Sequence, residues 1–223
     1  MRFSASGLKT YKSCKLKFKY HYIDKLPEER EDTPDTFFGL LVHEVAEIYD
    51  GNKKKALPIV KKYSDKLNQE YKQALPQTLK NLFNWYKKYK NYNSENEIEL
   101  NLKTKKYWLY GLVDKFFHDH NIFVDYKTAR SANRERHMFQ MKLYCLMISK
   151  LYDVEPKGVK CMIYYPRIDE EDKFLFSNQE IAMFEKEIMK LISEIEMNEE
   201  WPANRDYHCR WCGYKKYCPL WKE

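Results

Sequence analysis

Gly111-Leu112-Val113-Asp114 and Asp125-Tyr126-Lys127-Thr128 are the two motifs around which the predicted fold is built. They lie in runs 107–117 and 122–127, which are rich in aromatic and β-branched residues and predict two β-strands. The polar residues 118–121 between these runs predict a hairpin turn. A hairpin brings the strand that carries Asp114 beside the strand that ends in Asp125 and Lys127.

The hairpin predicts a site for a divalent cation. Alternation along a strand places Asp125 and Lys127 on the same face, and the turn brings Asp114 close to them. Two neighbouring carboxylates repel each other unless a hard cation joins them, and Mg²⁺ and Mn²⁺ prefer oxygen ligands. A lysine beside the ion stabilises charge that develops on a phosphate and helps to orient a metal-bound water. The alternative is that both aspartates are surface residues near a turn and that Lys127 is their salt-bridge partner.

Helical spacing of apolar residues accounts for most of the remaining chain. A first helix contains Cys14, and further helices are predicted at residues 36–50, 134–151 and 178–198. Residues 52–95 are predicted to form a helical insertion, with interruptions at Pro58 and Pro76. Two more strands are predicted at residues 98–102 and 159–165. Helices that alternate with strands in this way indicate an α/β protein.

Length and composition favour one domain and a polyanionic partner. The 223 residues fit a single hydrophobic core, so we expect one domain over residues 1–223. The 40 Lys+Arg against 33 Asp+Glu give a net charge of +7, which favours nucleic acid, although a solvated lysine-rich surface is the simpler alternative. No apolar run reaches the roughly 18 residues of a membrane span, and the N-terminus lacks the apolar core of a signal peptide. We therefore expect a cytoplasmic protein without a membrane partner.

The cysteine-rich tail, residues 201–223, predicts a second metal centre. Cys209, Cys212 and Cys218 gather three thiols into ten residues, and Cys14 lies alone in the first helix. Disulfide frameworks are rare in the cytoplasm and close thiolates repel each other, so a metal centre is the natural reason to bring the thiols together. An iron–sulfur cluster and a zinc ion are both open, the latter with Cys14 or His208 as its fourth ligand.

Two further patterns favour the core over a functional site. Cys145 and Cys161 fall within a predicted helix and a predicted strand, where buried and inert thiols are expected. Trp85, Tyr86 and Tyr89 alternate with lysines at helical spacing. Such a stripe binds bases and phosphates on a surface, but it more often packs onto a core.

Four motifs follow one another along about 100 residues and resemble those of the RecB-like branch of the PD-(D/E)XK nuclease superfamily, which includes CRISPR-associated and AddB-type nucleases. They are G-x-x-x-H-E at residues 39–44, G-x-x-D at 111–114, (D/E)-x-K-T at 125–128 and Q-x-x-x-Y at 140–144. The resemblance implies an α/β, restriction-endonuclease-like fold. Its mixed sheet is flanked by helices, and a helical insertion and an iron–sulfur cysteine tail are added to it.

The resemblance also assigns roles to individual residues. It implies that the catalytic metal is bound by His43, Asp114, Asp125 and the carbonyl of Tyr126. Lys127 is the implied catalytic lysine, and Gln140 and Tyr144, which share one helical face, are implied to lie beside the active site. One cysteine before the nuclease core and three after it imply a 4Fe-4S cluster on Cys14, Cys209, Cys212 and Cys218.

These features predict a metal-dependent DNA nuclease that hydrolyses phosphodiester bonds with Mg²⁺ or Mn²⁺, as an exonuclease acting on single-stranded ends. No Walker A motif occurs, so a helicase or a CRISPR-adaptation protein would be a separate partner. One alternative is a catalytically idle DNA-binding or CRISPR-adaptation subunit of the same fold. Another is a zinc-stabilised interaction protein. Intact His43, Asp114, Asp125 and Lys127 argue against an idle subunit.

Overall fold

A computed structural model describes residues 1–29 and 31–221, and it contains a five-stranded sheet. The strands, which are neighbours in this order, are β1 (Ser94–Lys103), β2 (Trp108–Phe117), β3 (Ile122–Tyr126), β4 (Lys160–Tyr165) and β5 (Glu170–Phe174). β2 and β3 are antiparallel, β3 and β4 are parallel, and β4 and β5 are antiparallel. The mixed sheet confirms the predicted α/β fold class.

Seven α-helices lie in the described residues. They are α1 (Ala5–Ser13), α2 (Lys15–Phe18), α3 (Pro34–Ile48), α4 (Ala56–Tyr63), α5 (Gln69–Tyr89), α6 (Arg134–Leu151) and α7 (Asn178–Glu196). A π-helix, Lys19–Ile23, follows α2, and the tail forms short 3₁₀ turns at Tyr207–Trp211, Lys215–Tyr217 and Pro219–Trp221. Within the described ranges, no helix is both long and apolar enough to cross a membrane.

The β2–β3 hairpin forms as predicted. A 3₁₀ turn at His118–His120 joins the strands, and Asn121 takes a left-handed conformation with φ of 49°. Asparagine tolerates this conformation better than most residues with a Cβ. β3 ends at Tyr126 rather than at the predicted residue 127, but the Lys127 N–H still donates to the Tyr164 carbonyl of β4 at 3.0 Å.

Helix α6 connects the two parallel strands β3 and β4. Parallel neighbours need a crossover connection, because a tight turn returns the chain in the opposite direction. The helix begins after Asn133, whose side chain accepts a hydrogen bond from the Arg136 N–H at 3.1 Å. Its buried residues include Met141, Leu143 and Tyr144. This connection fixes α6 beside the end of β3.

The first predicted helix is divided at Cys14. This residue has an extended backbone, with φ of −152° and ψ of 109°, and stands between α1 and α2. Its N–H closes α1 by donating to the Thr10 carbonyl, and its Sγ accepts a hydrogen bond from the Lys17 N–H at 3.4 Å. The prediction of one continuous helix was therefore wrong, and Cys14 lies at a break in the helix.

Several other elements differ from the prediction. α5 continues through Pro76, which is exposed, so the predicted interruption there is wrong. Strand β1 starts at Ser94 instead of residue 98, and α3 starts at Pro34, which suits the first helical position after the Thr33 cap. Strand β5 was not predicted at all, since four of its five residues are charged.

The chain forms two compact units. Unit 1 consists of Met1–Glu31, Asn101–Gly111 and Ala182–Glu223, and unit 2 consists of Asp32–Leu100 and Leu112–Ile181. The core of unit 2 combines apolar side chains of α3, α4 and α5 with residues of β3 and β4. Trp85 is fully buried in this core and stacks on Tyr164 at 4.9 Å, which confirms the core interpretation of the aromatic stripe. The single nuclease domain over residues 1–223 stays a prediction.

Candidate functional site

Asp114 and Asp125 lie opposite each other on neighbouring strands of unit 2. The register pairs Lys115 with Val124 and Phe116 with Phe123, and its extension by one residue brings Asp114 level with Asp125. Opposed residues of an antiparallel pair point to the same face, with Cβ atoms about 5 Å apart. Asp114 Oδ2 also accepts a hydrogen bond from the Tyr126 N–H at 2.6 Å. The hairpin therefore places two carboxylates side by side, as the sequence predicted.

Asp125 is the most enclosed carboxylate of this cluster, with only 3 % of its surface exposed. Its Oδ1 accepts a hydrogen bond from the Gln140 amide at 2.8 Å. Its Oδ2 forms an ion pair with the Lys127 ammonium, but no donor in the described part of the chain makes an aligned hydrogen bond to this buried oxygen. Burial raises the pKa of Asp125, and the Asp114 charge adds to this effect while Lys127 opposes it.

His43 reaches the same carboxylates from α3. Its Nδ1 lies 3.3 Å from Asp114 Oδ1. Burial would lower the pKa of this imidazole, but the hydrogen bond to Asp114 and the charges of Asp114 and Asp125 outweigh it and raise the pKa. Leu41, Val42 and Val45 on the buried side of α3 hold the helix against the core of unit 2. His43 is thus held beside Asp114 by the packing of its helix.

Gln140 and Tyr144 approach from α6. The Gln140 amide nitrogen donates to Asp125 Oδ1 and also to the Tyr144 hydroxyl at 3.2 Å, so one side chain contacts both. Burial and the nearby Asp125 charge raise the pKa of Tyr144 to about 12, which keeps its hydroxyl protonated. These contacts place both residues next to the carboxylates, in the position that the resemblance implied.

Tyr126 lies within the same cluster. Its N–H is used by Asp114, and its buried ring lies edge-on to the His43 ring at 6.1 Å. The ring also lies edge-on to Trp85 at 5.7 Å, which anchors β3 to the core. The role of the Tyr126 carbonyl as a metal ligand stays a prediction.

Two glutamates near the site were missed by the sequence analysis. Glu97 has a positive φ of 54° within β1, a conformation that is uncommon for glutamate. Partial burial and the charges of Glu47 and Asp114 raise its pKa, whereas His43 lowers it. Glu47 follows His43 by four residues and so shares a face of α3, a spacing that could have revealed it. No sequence pattern marks Glu97.

The donor set fits a divalent cation in its chemistry. Two carboxylates, one of which has an oxygen without an aligned hydrogen bond, and an imidazole are ligands that suit Mn²⁺, and the carboxylates suit Mg²⁺. Protein groups now face these oxygens: the Tyr126 N–H and His43 at Asp114, and Gln140 and Lys127 at Asp125. Accordingly, no three His, Cys, Asp or Glu side chains of the described residues are arranged to hold one ion as they stand. A cation must compete with these donors.

The four cysteines of the predicted cluster line one cavity of unit 1. It has a volume of about 330 Å³ and is lined by Cys14, Cys209, Cys212 and Cys218 together with parts of α1, α2 and the tail. Two backbone N–H groups donate to Cys14 Sγ, those of Lys17 at 3.4 Å and Asn204 at 3.5 Å. The Asp206 N–H donates to Cys209 Sγ at 3.4 Å. Such N–H···S bonds stabilise negative charge on sulfur, which suits thiolate ligands.

The cysteines that line this cavity are not arranged around a single ion. A tetrahedral zinc ion with Zn–S bonds of about 2.3 Å brings its sulfurs to about 3.8 Å from one another. Within residues 1–29 and 31–221, no group of three or more His, Cys, Asp or Glu side chains is placed to hold a metal ion, and this includes the four cysteines.

Cys145 and Cys161 belong to unit 2 and do not line this cavity. Both thiols are buried, and burial raises the pKa of Cys161 well above its usual value. A buried thiol that resists ionisation is a poor nucleophile and a poor metal ligand. The prediction that these two cysteines are buried is confirmed.

Sequence comparison decides the family. A profile of the PD-(D/E)XK nuclease superfamily matches residues 2–219, nearly the whole chain. The chain belongs to the PD-(D/E)XK nuclease superfamily. The resemblance to this superfamily that the four motifs indicated is therefore confirmed. The match does not test the iron–sulfur cluster. The CRISPR-associated exonuclease Cas4 of Francisella tularensis subsp. novicida (strain U112) is 27 % identical over 137 residues, which cover 58 % of this chain and 67 % of that protein.

Two solved structures share the fold of this chain. A proposed exonuclease from Eubacterium rectale superposes with a TM-score of 0.62 at 12 % identity, over 93 % of this chain and 86 % of that one. The protein SSO0001 superposes with a TM-score of 0.50 at 15 % identity, over 100 % of this chain and 87 % of that one. At such low identity these likenesses establish the fold alone.

Proposed function

We propose that the chain is a Mg²⁺- or Mn²⁺-dependent deoxyribonuclease that hydrolyses phosphodiester bonds at DNA ends. Membership in a nuclease superfamily supports the reaction class. The single observation that carries the proposal is the hairpin that opposes Asp114 and Asp125 and pairs Asp125 with Lys127. Burial raises the pKa of Asp125, which lies beside a second carboxylate. A protein that only bound DNA would have no need for such an arrangement.

The metal ligands of the proposal are His43, Asp114, Asp125 and the Tyr126 carbonyl. A divalent ion supplies Lewis acidity toward the phosphate and makes a bound water easier to deprotonate. The protein contributes the geometry. Asp114 is fixed by the Tyr126 N–H, and Asp125 is fixed by the Gln140 amide, so both carboxylates are oriented before an ion arrives.

Lys127 has two roles in the proposed reaction. Its ammonium reduces the repulsion between the two carboxylates by pairing with Asp125. The side chain is partly exposed, so it also reaches a phosphate at the surface and stabilises the charge that grows there during hydrolysis. Gln140 and Tyr144 act through Asp125, as positioning residues.

Exonuclease activity on single-stranded ends is the proposed specificity. The name of the Francisella relative, a CRISPR-associated exonuclease, supports the exonuclease part and a CRISPR-associated context. The net charge of +7 supports a polyanionic substrate. A helicase, where one is needed to open a duplex, is proposed to be a separate chain.

A 4Fe-4S cluster on Cys14, Cys209, Cys212 and Cys218 is proposed for the cavity of unit 1. The cavity of about 330 Å³ and the N–H donors to Cys14 and Cys209 support it. The cluster would join the helix break at Cys14 to the tail, almost 200 residues away along the chain. Its proposed role is structural, because closing so long a loop constrains the unfolded chain most.

Cleavage of end-labelled DNA tests the nuclease. Single-stranded and duplex oligonucleotides are incubated with Mn²⁺ or Mg²⁺ and wild type, Asp114→Ala, Lys127→Ala, or the control Lys80→Ala, an exposed lysine of α5. We expect wild type and Lys80→Ala to shorten the labelled strand and the two site variants to lose at least about 100-fold in rate. Equal cleavage by all four proteins would assign the activity to a contaminant, and binding without cleavage by wild type would indicate an idle subunit.

Colour and metal content test the cluster. Protein purified without oxygen is expected to be brown, with absorbance near 400 nm and about four iron atoms per chain. Cys218→Ala should lose most of the iron, whereas Cys161→Ala, which alters a buried thiol of unit 2, should keep it. A colourless wild type that contains one zinc per chain would contradict the cluster.

A further inference from the structure

Two large aromatic side chains project from the cysteine tail into solvent. Tyr207 is 65 % exposed and Trp211 is 61 % exposed, and both belong to the 3₁₀ turn Tyr207–Trp211 that carries Cys209. Their rings contact each other at 4.8 Å with an interplanar angle of 68°. Single exposed aromatic side chains are ordinary in proteins. Two exposed rings in contact on one turn, however, leave a large apolar area in water that would stabilise the fold if it were buried. Such a pair is typical of a surface that binds a partner molecule.

Cationic side chains accompany these rings. The Arg210 guanidinium lies 5.3 Å from the centre of the Tyr207 ring. Lys215 lies 4.9 Å from the centre of the Trp221 ring, which is also exposed, and its ammonium donates to the Arg210 carbonyl at 2.7 Å. Aromatic faces and positive charges therefore alternate along the tail, a pattern that suits bases and phosphates together.

The basic excess of the protein is concentrated in the unit that carries this tail. Unit 1 contains 18 Lys+Arg and 12 Asp+Glu, a net charge of +6, whereas unit 2 contains 22 and 21, a net charge of +1. Residues 5–18 carry four lysines and no acidic residue. Two of these lysines, Lys9 and Lys17, line the same cavity as Trp211 and Trp221. The field around the exposed rings thus favours a polyanion over a neutral or acidic partner.

We propose that Tyr207, Arg210 and Trp211 form a stacking platform for the unpaired bases of a single-stranded nucleic-acid end. The rings supply π-faces to bases of any sequence, and Arg210 with the lysines of unit 1 tracks the phosphates. The inference rests on the proposed nuclease function, since it assigns the form of nucleic acid that the enzyme binds. It deepens that function by assigning a binding surface to residues outside the carboxylate site.

Binding without cleavage tests the platform. Fluorescence anisotropy is measured in EDTA with a labelled 20-nucleotide dT strand and with a blunt duplex of equal length, so that affinity is read separately from catalysis. The variants are Tyr207→Ala, Trp211→Ala and the conservative Trp211→Phe, and the control is Tyr152→Ala, an exposed aromatic of unit 2. Absorbance near 400 nm is recorded for each preparation, because Trp211 lines the cysteine cavity whereas Tyr207 does not.

We expect Tyr207→Ala and Trp211→Ala to raise the Kd for the single strand about 10-fold, with a smaller effect on the duplex, whose bases are already stacked. Trp211→Phe and Tyr152→Ala should stay within about 3-fold of wild type. The slope of log Kd against log salt should not change, since no charge is removed.

Three results would overturn the platform. An unchanged affinity in both alanine variants would show that the rings serve a protein partner or nothing at all. Unchanged affinity with lost absorbance near 400 nm would make them a shield for the metal group. Equal losses on single strand and duplex would show phosphate attraction without stacking. A wild type that binds the single strand through these rings but never cleaves DNA would refute the nuclease and leave the platform intact.

Discussion

Asp114 is fixed by the backbone of the neighbouring strand: its Oδ2 accepts a hydrogen bond from the Tyr126 N–H at 2.6 Å. The other oxygen of the same carboxylate faces the His43 imidazole at 3.3 Å. Charge-assisted bonds of this kind are stronger than bonds between neutral groups, so the carboxylate has little freedom to turn. The hairpin therefore orients the acid that the proposed metal site needs, without help from a loop.

Gln140 should matter more to catalysis than Tyr144. The amide of Gln140 donates to the buried Asp125 carboxylate at 2.8 Å, whereas Tyr144 contacts that amide at 3.2 Å. Hydrogen bonds to charged groups contribute about 1.5–3 kcal/mol and those between neutral groups about 1 kcal/mol. We expect Gln140→Ala to lower kcat about 10- to 100-fold and Tyr144→Phe to lower it less than about 5-fold. Steady-state cleavage rates of the two variants measure these losses. A larger loss of kcat in Tyr144→Phe than in Gln140→Ala would show that Tyr144 matters more.

Lys115 should destabilise the folded protein at neutral pH. Only 3 % of it is exposed, and burial lowers its pKa from 10.5 to about 8. The unfolded chain therefore binds the proton more tightly than the folded one, so stability is lowest below pH 8 and rises between about pH 8 and 10.5. Lys115→Met, which also gives up the bond to Asn96, should gain at most about 3 kcal/mol at pH 7. The gain should be smaller at pH 9.5.

Urea unfolding at both pH values measures this gain. Lys80→Met, which changes an exposed lysine of α5, serves as the matched control and should alter the unfolding free energy by less than about 0.5 kcal/mol. A gain for Lys115→Met that is the same at pH 7 and pH 9.5 would show that packing, and not the charge, causes it.

Gly213 should tolerate no larger residue. A Cβ built on it meets the Glu28 side chain and lies 3.0 Å from the Glu29 carbonyl oxygen, while the Glu29 N–H donates to the Gly213 carbonyl at 2.9 Å. Gly213→Ala must push this segment away from the tail and should cost about 1–3 kcal/mol. Because Gly213 follows Cys212, iron content should fall as well.

Thermal melting and iron analysis check this prediction. Gly158→Ala is the control, since its added carbon meets the side chain of Val154 and not a backbone atom. A Gly213→Ala protein with the stability and iron content of wild type would contradict the close packing of the tail against Glu29.

Local sequence patterns were enough to predict the core of the site. The hairpin residues and the four-residue spacing of Gln140 and Tyr144 are short-range signals, and the structure brings Asp114, Asp125 and Gln140 together. The buried aromatic stripe could also be predicted, because its aromatic residues, which include Trp85, occur at helical spacing. The spacing of residues along a helix or strand predicts such contacts, because it determines which side chains share the buried face.

Other features depend on contacts that no local pattern encodes. Strand β5 pairs with β4 although most of its residues are charged, because Trp85 and the Tyr165 hydroxyl donate to its carboxylates Glu171 and Asp172. Pro76 is accommodated in α5 since it lies on the exposed side, where solvent can hydrate the carbonyl that loses its partner. Likewise, Cys14 at the break between α1 and α2 accepts a hydrogen bond from the Asn204 N–H of the tail, a contact between residues far apart in the sequence.

Binding of Mn²⁺ tests most directly whether Asp114 and Asp125 share a cation. Titration calorimetry compares wild type with Asp114→Asn and with the control Asp153→Asn, whose left-handed φ of 54° suits asparagine. Wild type and Asp153→Asn should each bind Mn²⁺ at the carboxylate site, and Asp114→Asn should bind it at least about 10-fold more weakly. Equal Mn²⁺ affinity in all three proteins would mean that these carboxylates do not hold the metal.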